Sequence, residues 1–505
     1  MQARGPDQSR QWLAWFLAVL WLALLLPGLS ARYSFGWDSS QFDRGVFDFD
    51  ILRHQPHPPG YPLWILALRG LTPMLGNPNR AQVLLALLFT IAALLFFRAL
   101  AVDLLGTAAG WSAAWLLAFS PVVCLNAASS QIYAVDLFQA CCAGWLAARI
   151  GMGRLRLAVP GLALAAIAGG FRPSGAVFLA PLLLYALWRG GRQKPLPAVA
   201  GIVAAAVCWL AWLLPTARLT GGLRVLSALN HQQMAVSFQK TSVFYGASPM
   251  RHVHMLLDVC ITLGVALCAF VPAVLAWGAF RTRDATSRPS PHSAWATPAF
   301  FFLWMAPNLA LVFLFHFSQP GYLALSLPPL ALPLAWFARR PLTRLRWTGA
   351  GVAVALLVSY FPYDLFIRPG PTRLPFLLLR ATPRITRLIE NSQREIARLV
   401  DSMDGPPEEK LIYCLRDTFE APNIRTVTYD FPDVVWAMPQ GSGWLVFPPH
   451  GAATLDRPPS TIRSIAWLCD QAGPPPRIRA QYPNARRLAG NALYSFWESP
   501  SRIRP

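Results

Sequence analysis

The chain has 505 residues, of which 55% are hydrophobic and only 13% charged, with a mean hydropathy of +0.39, which excludes an ordinary soluble globular protein and leaves a polytopic helical membrane protein. The net charge of +21 does not mark a nucleic-acid binder, because the basic residues fall in short clusters between apolar runs, the pattern of a membrane topology signal. Among the eight cysteines, Cys124, Cys141, Cys142, Cys208, Cys260 and Cys268 sit in or beside apolar spans as small buried hydrophobes, while Cys414 and Cys469 lie in a polar region and could pair in an oxidising compartment.

In chain order, a polar start with two arginines precedes the apolar run Gln11–Gly28, read as a retained first span. Leu29-Ser30-Ala31 resembles a signal-peptidase site, so a cleaved signal peptide is the alternative. A polar loop over 30–60 follows. Tyr61–Leu75 then reads as a helix at or dipping into the interface, since Arg69, Pro73 and its length argue against a full crossing. The run Gln82–Phe97 and further runs at 108–125, 132–148, 157–170, 175–188, 196–214, 257–280, 297–315, 322–338 and 347–362 bring the expected count to about eleven spans.

The basic residues choose an orientation. With the N-terminus in the cytoplasm, the cytoplasmic loops hold Arg98; Arg149, Arg154 and Arg156; Arg189, Arg192 and Lys194; Arg281, Arg283 and Arg288; and Arg339, Arg340, Arg344 and Arg346. The Asp38–His57 loop, the Arg218–Arg251 loop, the His316–Gly321 turn and the C-terminal tail then share the outer side of a plasma membrane, the inner membrane in a bacterium. The expected fold class is therefore all-α and polytopic over 1–362, with a small extracytoplasmic α/β domain over 363–505. In that tail Pro369, Pro371 and Pro375 break the start, and Ile385–Met403 is an amphipathic helix with Ile385, Leu388, Ile389, Ile396, Leu399 and Val400 on one face. Lys410–Cys414, Arg425–Tyr429 and Trp444–Phe447 read as strands. The tail holds no nucleotide-binding glycine loop and no nucleophile elbow.

Chemistry concentrates in the first outer loop. Asp38 follows Trp37 just beyond the first span, where a carboxylate partly shielded from water can act as a general base; Asp38-Ser39-Ser40-Gln41 can equally cap a helix, and the two readings stand side by side. Asp43, Asp48 and Asp50 are further candidate acids, and Asp43 with Arg53, His54, His57 and Tyr61 forms the loop's expected set of substrate contacts. His57-Pro58-Pro59-Gly60-Tyr61-Pro62 is a stiff extended entry to the next helix, a platform that aims a histidine at a phosphate or sugar hydroxyl or leaves it exposed in a turn. Three other segments fall on the same side: Gln131 and Tyr133 ahead of Asp136, Arg172 in Gly170-Phe171-Arg172-Pro173, and His316, Gln319 and Tyr322. Arg172, with Lys240 or Arg224, can bind an anionic headgroup or serve as an interface anchor.

These residues resemble the GT-C superfamily of polytopic glycosyltransferases, which includes protein O-mannosyltransferases and the lipid A aminoarabinose transferase. Asp38-Ser39-Ser40-Gln41-Phe42, followed by His57-Pro58-Pro59-Gly60-Tyr61-Pro62-Leu63, is similar to a branch reading Asp-Ser-Gly-Glu-Phe and then His-Pro-Pro-Gly-Tyr-Pro-Leu. Phe171-Arg172-Pro173-Ser174 and Ser318-Gln319-Pro320-Gly321-Tyr322 resemble segments of bacterial relatives more loosely. The resemblance covers roughly 10–362 and departs at Ser40-Gln41, where the branch has Gly-Glu. It implies transfer of a sugar from a polyprenyl-phosphate donor to a hydroxyl of a protein, lipid or glycan acceptor, with inversion and with Asp38 as base. No cofactor is evident, and a divalent metal is left open because no ligand set stands out. A transporter or lipid-linked glycan flippase is the alternative, and a non-catalytic scaffold acting through its tail is a third reading.

Overall fold

The computed structural model describes residues 6–34, 36–192, 194–280, 295–366, 383–415, 431, 433–440, 443–447, 451–453, 462–469, 473–474, 476–490 and 495–499. Apolar runs bounded by proline and glycine become helices, in the order α1 Pro6–Leu25, α2 Trp37–Phe47, α3 Pro62–Leu75, α4 Pro78–Leu105, α5 Thr107–Ala118 and α6 Pro121–Ala128. Next come α7 Tyr133–Gly151, α8 Ala158–Phe171, α9 Pro173–Gly191, α10 Pro195–Leu219, α11 Leu223–Gln239 and α12 Pro249–Leu267. The helical part ends with α13 Val271–Phe280, α14 Pro298–Ala310, α15 Leu327–Phe337, the single turn α16 Arg339–Leu342, and α17 Leu345–Phe366.

Proline opens many of these helices, where its missing N–H costs nothing and its fixed φ is already helical. Side-chain caps complete several starts: Asn77 accepts from the Arg80 amide at 3.1 Å, and Thr297 accepts from the Phe300 amide at 3.2 Å.

The chain is an integral membrane protein. Among the described residues five helices are long and apolar enough to cross a bilayer, at Gln11–Ser30, Pro78–Leu105, Pro195–Leu219, Pro249–Trp277 and Pro298–Phe315; α5 and α6 make a sixth if their 61° bend falls within one span. Each of the other expected runs also folds as a helix, but as a shorter or more polar one, so composition and length alone reach six where the sequence reading expected about eleven. α7 is buried along nearly its whole length and forms the centre of a core with α4, α5, α9 and α15, whereas α10 is largely exposed, as a lipid-facing helix is.

The described tail is a long helix and a short one with a sheet. α18, Pro383–Ser402, is followed by β1 Lys410–Cys414, β2 Val435–Gln440, β3 Gly443–Phe447, β4 Gly451–Ala453, β5 Ser464–Cys469, the short α19 Pro476–Gln481, β6 Arg486–Gly490 and β7 Ser495–Ser499. The seven-stranded sheet has the order β4-β3-β2-β1-β5-β7-β6, parallel at β2-β1-β5 and antiparallel elsewhere. The helix Ile385–Met403 expected from sequence is α18. It buries Ile396 and Val400, with the following Met403, against Ile412, Cys414, Trp436, Leu468 and Phe496. Full burial of such side chains stabilises by about 1.5–3 kcal/mol each, enough to hold the helix on the sheet. The strand expected over 425–429, the proline-broken start of the tail, and the side chains of Ile385, Leu388 and Ile389 lie outside the described residues.

The sheet also decides the cysteine question. Cys414 sits in the layer under α18, while Cys469 sits with Leu411, Tyr413, Ile465 and Trp467 on the opposite face. Since β1 and β5 pair with Cys414 opposite Leu468, the side chains of the two cysteines leave the sheet in opposite directions. Peptide mapping under non-reducing conditions is expected to find no Cys414–Cys469 bridge; a peptide pair carrying that bridge would refute the register.

Candidate active site

Asp38 lies in the first turn of α2, half-buried. Three bonds fix the helix that carries it: Ser39 Oγ donates to the Ser130 carbonyl at 2.5 Å, Gln82 Nε2 on α4 donates to the Ser39 carbonyl at 2.9 Å, and Ser40 Oγ donates to the Gly36 carbonyl at 3.2 Å. The neighbours of Asp38 are thus tied down while its own carboxylate has no hydrogen-bond or ion-pair partner among the described residues. Its charge is close enough to act on His57, Tyr61, Tyr133, His316 and Tyr322. The side chain of Trp37 lies outside the described residues.

His57 is buried and fully engaged. Gln41 Oε1 accepts from the backbone N–H of His57 at 3.2 Å and meets its Nδ1 at 2.7 Å. Because the amide N–H can only donate, the Gln41 atom facing it is the oxygen, and His57 Nδ1 must carry a proton. In the neutral ring Nε2 is then an acceptor, 3.0 Å from the Tyr61 hydroxyl. Burial pushes the His57 imidazole below the ordinary histidine range, against the field of Asp38, and so favours this neutral form. Tyr61 occupies the left-handed region at φ 45°, uncommon for a bulky residue, and packs edge-on against Phe42 at 5.1 Å. The proline-rich entry therefore aims Tyr61, with His57 behind it, rather than presenting His57 itself.

Arg172 is the second focus. It is buried between α8 and α9, with Nε 2.5 Å from Asp136 Oδ2 on α7 and its guanidinium 4.4 Å from the centroid of the Tyr133 ring. Gln139 Nε2 stands outside the ion pair and donates to the Arg172 and Ala168 carbonyls at 3.0 and 2.7 Å, closing the end of α8. Gly175 makes room for this: a Cβ there would run into Gln139 Oε1 and crowd Asp136 Oδ1. The Nη groups of Arg172 have no hydrogen-bond partner among the described residues, which leaves them for an anion. Tyr133 and Tyr322 pack with ring centroids 5.3 Å apart, and Gly321 permits that contact because a Cβ would enter the Tyr133 ring.

The remaining expected residues divide. His316 stands edge-on to Tyr322 at 5.4 Å, with Nδ1 3.1 Å from Thr241 Oγ1, and burial together with the charge of Lys240 pushes it down to about 4, so it is neutral at physiological pH. Gln131 and Gln319 are half-buried near these segments, and Gln131 Oε1 is buried without a partner among the described residues. Arg53 does not join the cluster: it is exposed and bonded to Asp48 and Asp50 at 2.6 Å each, and His54 caps the same exposed turn. Arg224 lies on an exposed face of α11 beside His231. Among the described residues no three His, Cys, Asp or Glu side chains gather as a metal-ligand set.

Asp43, expected as a substrate contact, is instead turned inward, bonded to Ser34 and accepting from Gln82 Nε2 at 2.6 Å. Burial raises its carboxyl from 3.8 to about 7 despite those bonds. A carboxyl raised by folding contributes stability that is complete below about pH 4 and is lost as pH climbs through 7. Asp43→Asn is therefore expected to leave thermal stability unchanged at pH 4 and raise it at pH 8 by on the order of 2 kcal/mol. Melting curves of the detergent-solubilised protein at both pH values measure this; equal shifts at both would refute it.

Sequence reasoning passed over Asp136, Gln41, Gln82 and Gln139. Asp136 carried a usable signal, since an acid inside an apolar run requires a partner, but the identity of that partner is a tertiary fact. Gln41 enters the sequence reading as the end of a helix-capping segment and as a departure from the family pattern, whereas in the structure it holds His57.

No family model and no curated protein matches this chain. Solved structures do, among them two of one protein. The crystal structure of ArnT from Cupriavidus metallidurans bound to undecaprenyl phosphate superposes with a TM-score of 0.58 at 12% identity, over 97% of this chain and 98% of that one. The apo crystal structure of the same protein gives 0.56 at 13% identity over the same shares. The chain thus shares the fold of that ArnT structure over nearly its whole length, the C-terminal tail included.

Proposed function

From this shared fold we propose that the protein is a membrane glycosyltransferase that moves a sugar from a polyprenyl-phosphate donor to a hydroxyl acceptor on the outer face of a bacterial inner membrane. The observation that carries the reading is the convergence of Asp38, Tyr61, Tyr133, Arg172, His316 and Tyr322, drawn from four separate segments, in a fold whose solved example was crystallised with undecaprenyl phosphate.

In this reading Asp38 takes the proton of the acceptor hydroxyl as the oxygen attacks the anomeric carbon. The bond to the lipid phosphate breaks, the phosphate leaves with the electron pair, and the configuration inverts. Arg172 supplies the positive charge that the departing phosphate needs, while Asp136 and Tyr133 hold the guanidinium in place. Tyr61, oriented by His57 and Gln41, offers a hydroxyl to the sugar or acceptor. The helical part up to about residue 362 would be the catalytic unit, with the N-terminus in the cytoplasm and the tail outside. The test is chemical: cells lacking the protein should accumulate one polyprenyl-phosphate sugar and lose one surface glycan modification, both restored by the wild-type chain. Unchanged lipid-linked sugars would reject the reading.

A further inference from the structure

A second concave site lies where the tail meets the helical bundle. A cavity of about 420 Å³ opens there, lined by Arg32, Tyr33, Asn77, Arg394, Arg398 and Asp401. Its volume falls within the roughly 300–1,000 Å³ usual for small-ligand sites. The two walls come from distant parts of the chain. One is the segment leading from α1 to α2, and the other is the face of α18 on which Arg394, Arg398 and Asp401 recur at helical spacing.

The walls are fastened together at the rim. Glu390, buried on α18, accepts from the backbone amides of Arg32 and Tyr33 at 3.0 and 3.1 Å and takes a third bond from Arg394 Nη2 at 3.1 Å. From the opposite side Asn77 Nδ2 donates to the Arg32 carbonyl at 3.0 Å, so the Arg32 backbone is held on both edges. Three guanidinium groups thus line one space with the carboxylate of Asp401, and of the three only Arg394 is already paired, to Glu390 at the rim. Arg32 and Arg398 have no ion-pair partner among the described residues. Arginine forks match a phosphate through paired N–H donors, and a partly enclosed site strengthens that match over open solvent.

We propose that this cavity binds a phosphate-bearing ligand, whose phosphate is held by Arg394 and Arg398 from α18 and Arg32 from the segment that precedes Asp38. The occupant would tie the tail to the loop carrying Asp38, which begins only a few residues further on. The site needs no assumption about the transfer reaction.

The test uses the full-length protein in nanodiscs of zwitterionic lipid, titrated calorimetrically with inorganic phosphate and with a soluble short-chain phosphatidylglycerol. Binding of phosphate identifies a free phosphate group as sufficient, and binding of the phosphatidylglycerol alone identifies a lipid headgroup; either supports the site. In both cases Arg394→Gln/Arg398→Gln should weaken binding at least tenfold, while Arg487→Gln, an exposed arginine of β6, should leave it unchanged. Arg32→Gln, on the opposite wall, should reproduce the loss and guards against a misfolded α18 variant. Failure of both probes to bind, or equal affinity in the wild type and in both pocket variants, overturns the proposal. Because no turnover is measured, the result is independent of the transferase reading.

Discussion

Asp38→Asn is expected to reduce sugar transfer by about 10²–10⁴-fold, the usual contribution of a positioned general base, while the protein remains folded. The separation is possible because the Asp38 carboxylate makes no hydrogen bond or ion pair with another described residue, so its loss leaves no buried partner behind. The bonds that hold α2 run through Ser39, Ser40 and Gln82 and are untouched by the change. In membranes supplied with donor and acceptor, transfer should fall to background while the melting temperature moves little. Near-normal transfer would remove Asp38 from the mechanism; helix capping is no alternative, since Gly36 is the N-cap of α2 and no side chain caps it.

The second large effect concerns Arg172. Removing one member of a buried ion pair leaves the other charge uncompensated, at a cost of about 3–5 kcal/mol, whereas replacing both with apolar residues of similar size is often tolerated. Arg172→Met should therefore unfold or severely destabilise the protein by stranding Asp136, while Arg172→Met/Asp136→Leu should be recovered folded. If the guanidinium also receives the donor phosphate, the folded double variant should bind polyprenyl phosphate at least tenfold more weakly, since each lost 1.4 kcal/mol is a factor of ten. A double variant that folds and binds the donor normally would show that Arg172 is purely structural.

Some of this was legible in the residues alone. Proline-led apolar runs mark the helices because bilayer crossing demands long apolar segments and a proline at a first turn is almost free. The spacing of Ile396, Leu399 and Val400 marks α18 for the same kind of reason: a periodicity of 3.6 puts them on one face. The His57–Pro62 run pointed to the outer loop through its fixed backbone. What it did not tell was which side chain that backbone serves. His57 looked like the presented group, yet it lies behind Tyr61, because its two nitrogens and its amide are matched by Gln41 and Tyr61. Arg53 and Arg172 were equivalent candidates on paper; Asp48 and Asp50 hold the first in an exposed turn, while α7 supplies the second with Asp136 in a buried one.

By itself, then, the sequence determined a polytopic helical protein with a polar, proline-stiffened loop after its first span and an amphipathic helix in its tail, since those features depend on neighbours a few residues apart. Only the tertiary structure decided that Asp38, unbonded to any other described residue, stands within reach of Tyr61, Tyr133, His316 and Tyr322, that Asp43 turns inward, and that Cys414 and Cys469 sit on opposite faces of a sheet. Each of these is fixed by contacts between segments far apart in the chain, where burial and hydrogen-bond satisfaction, not local propensity, select the partner.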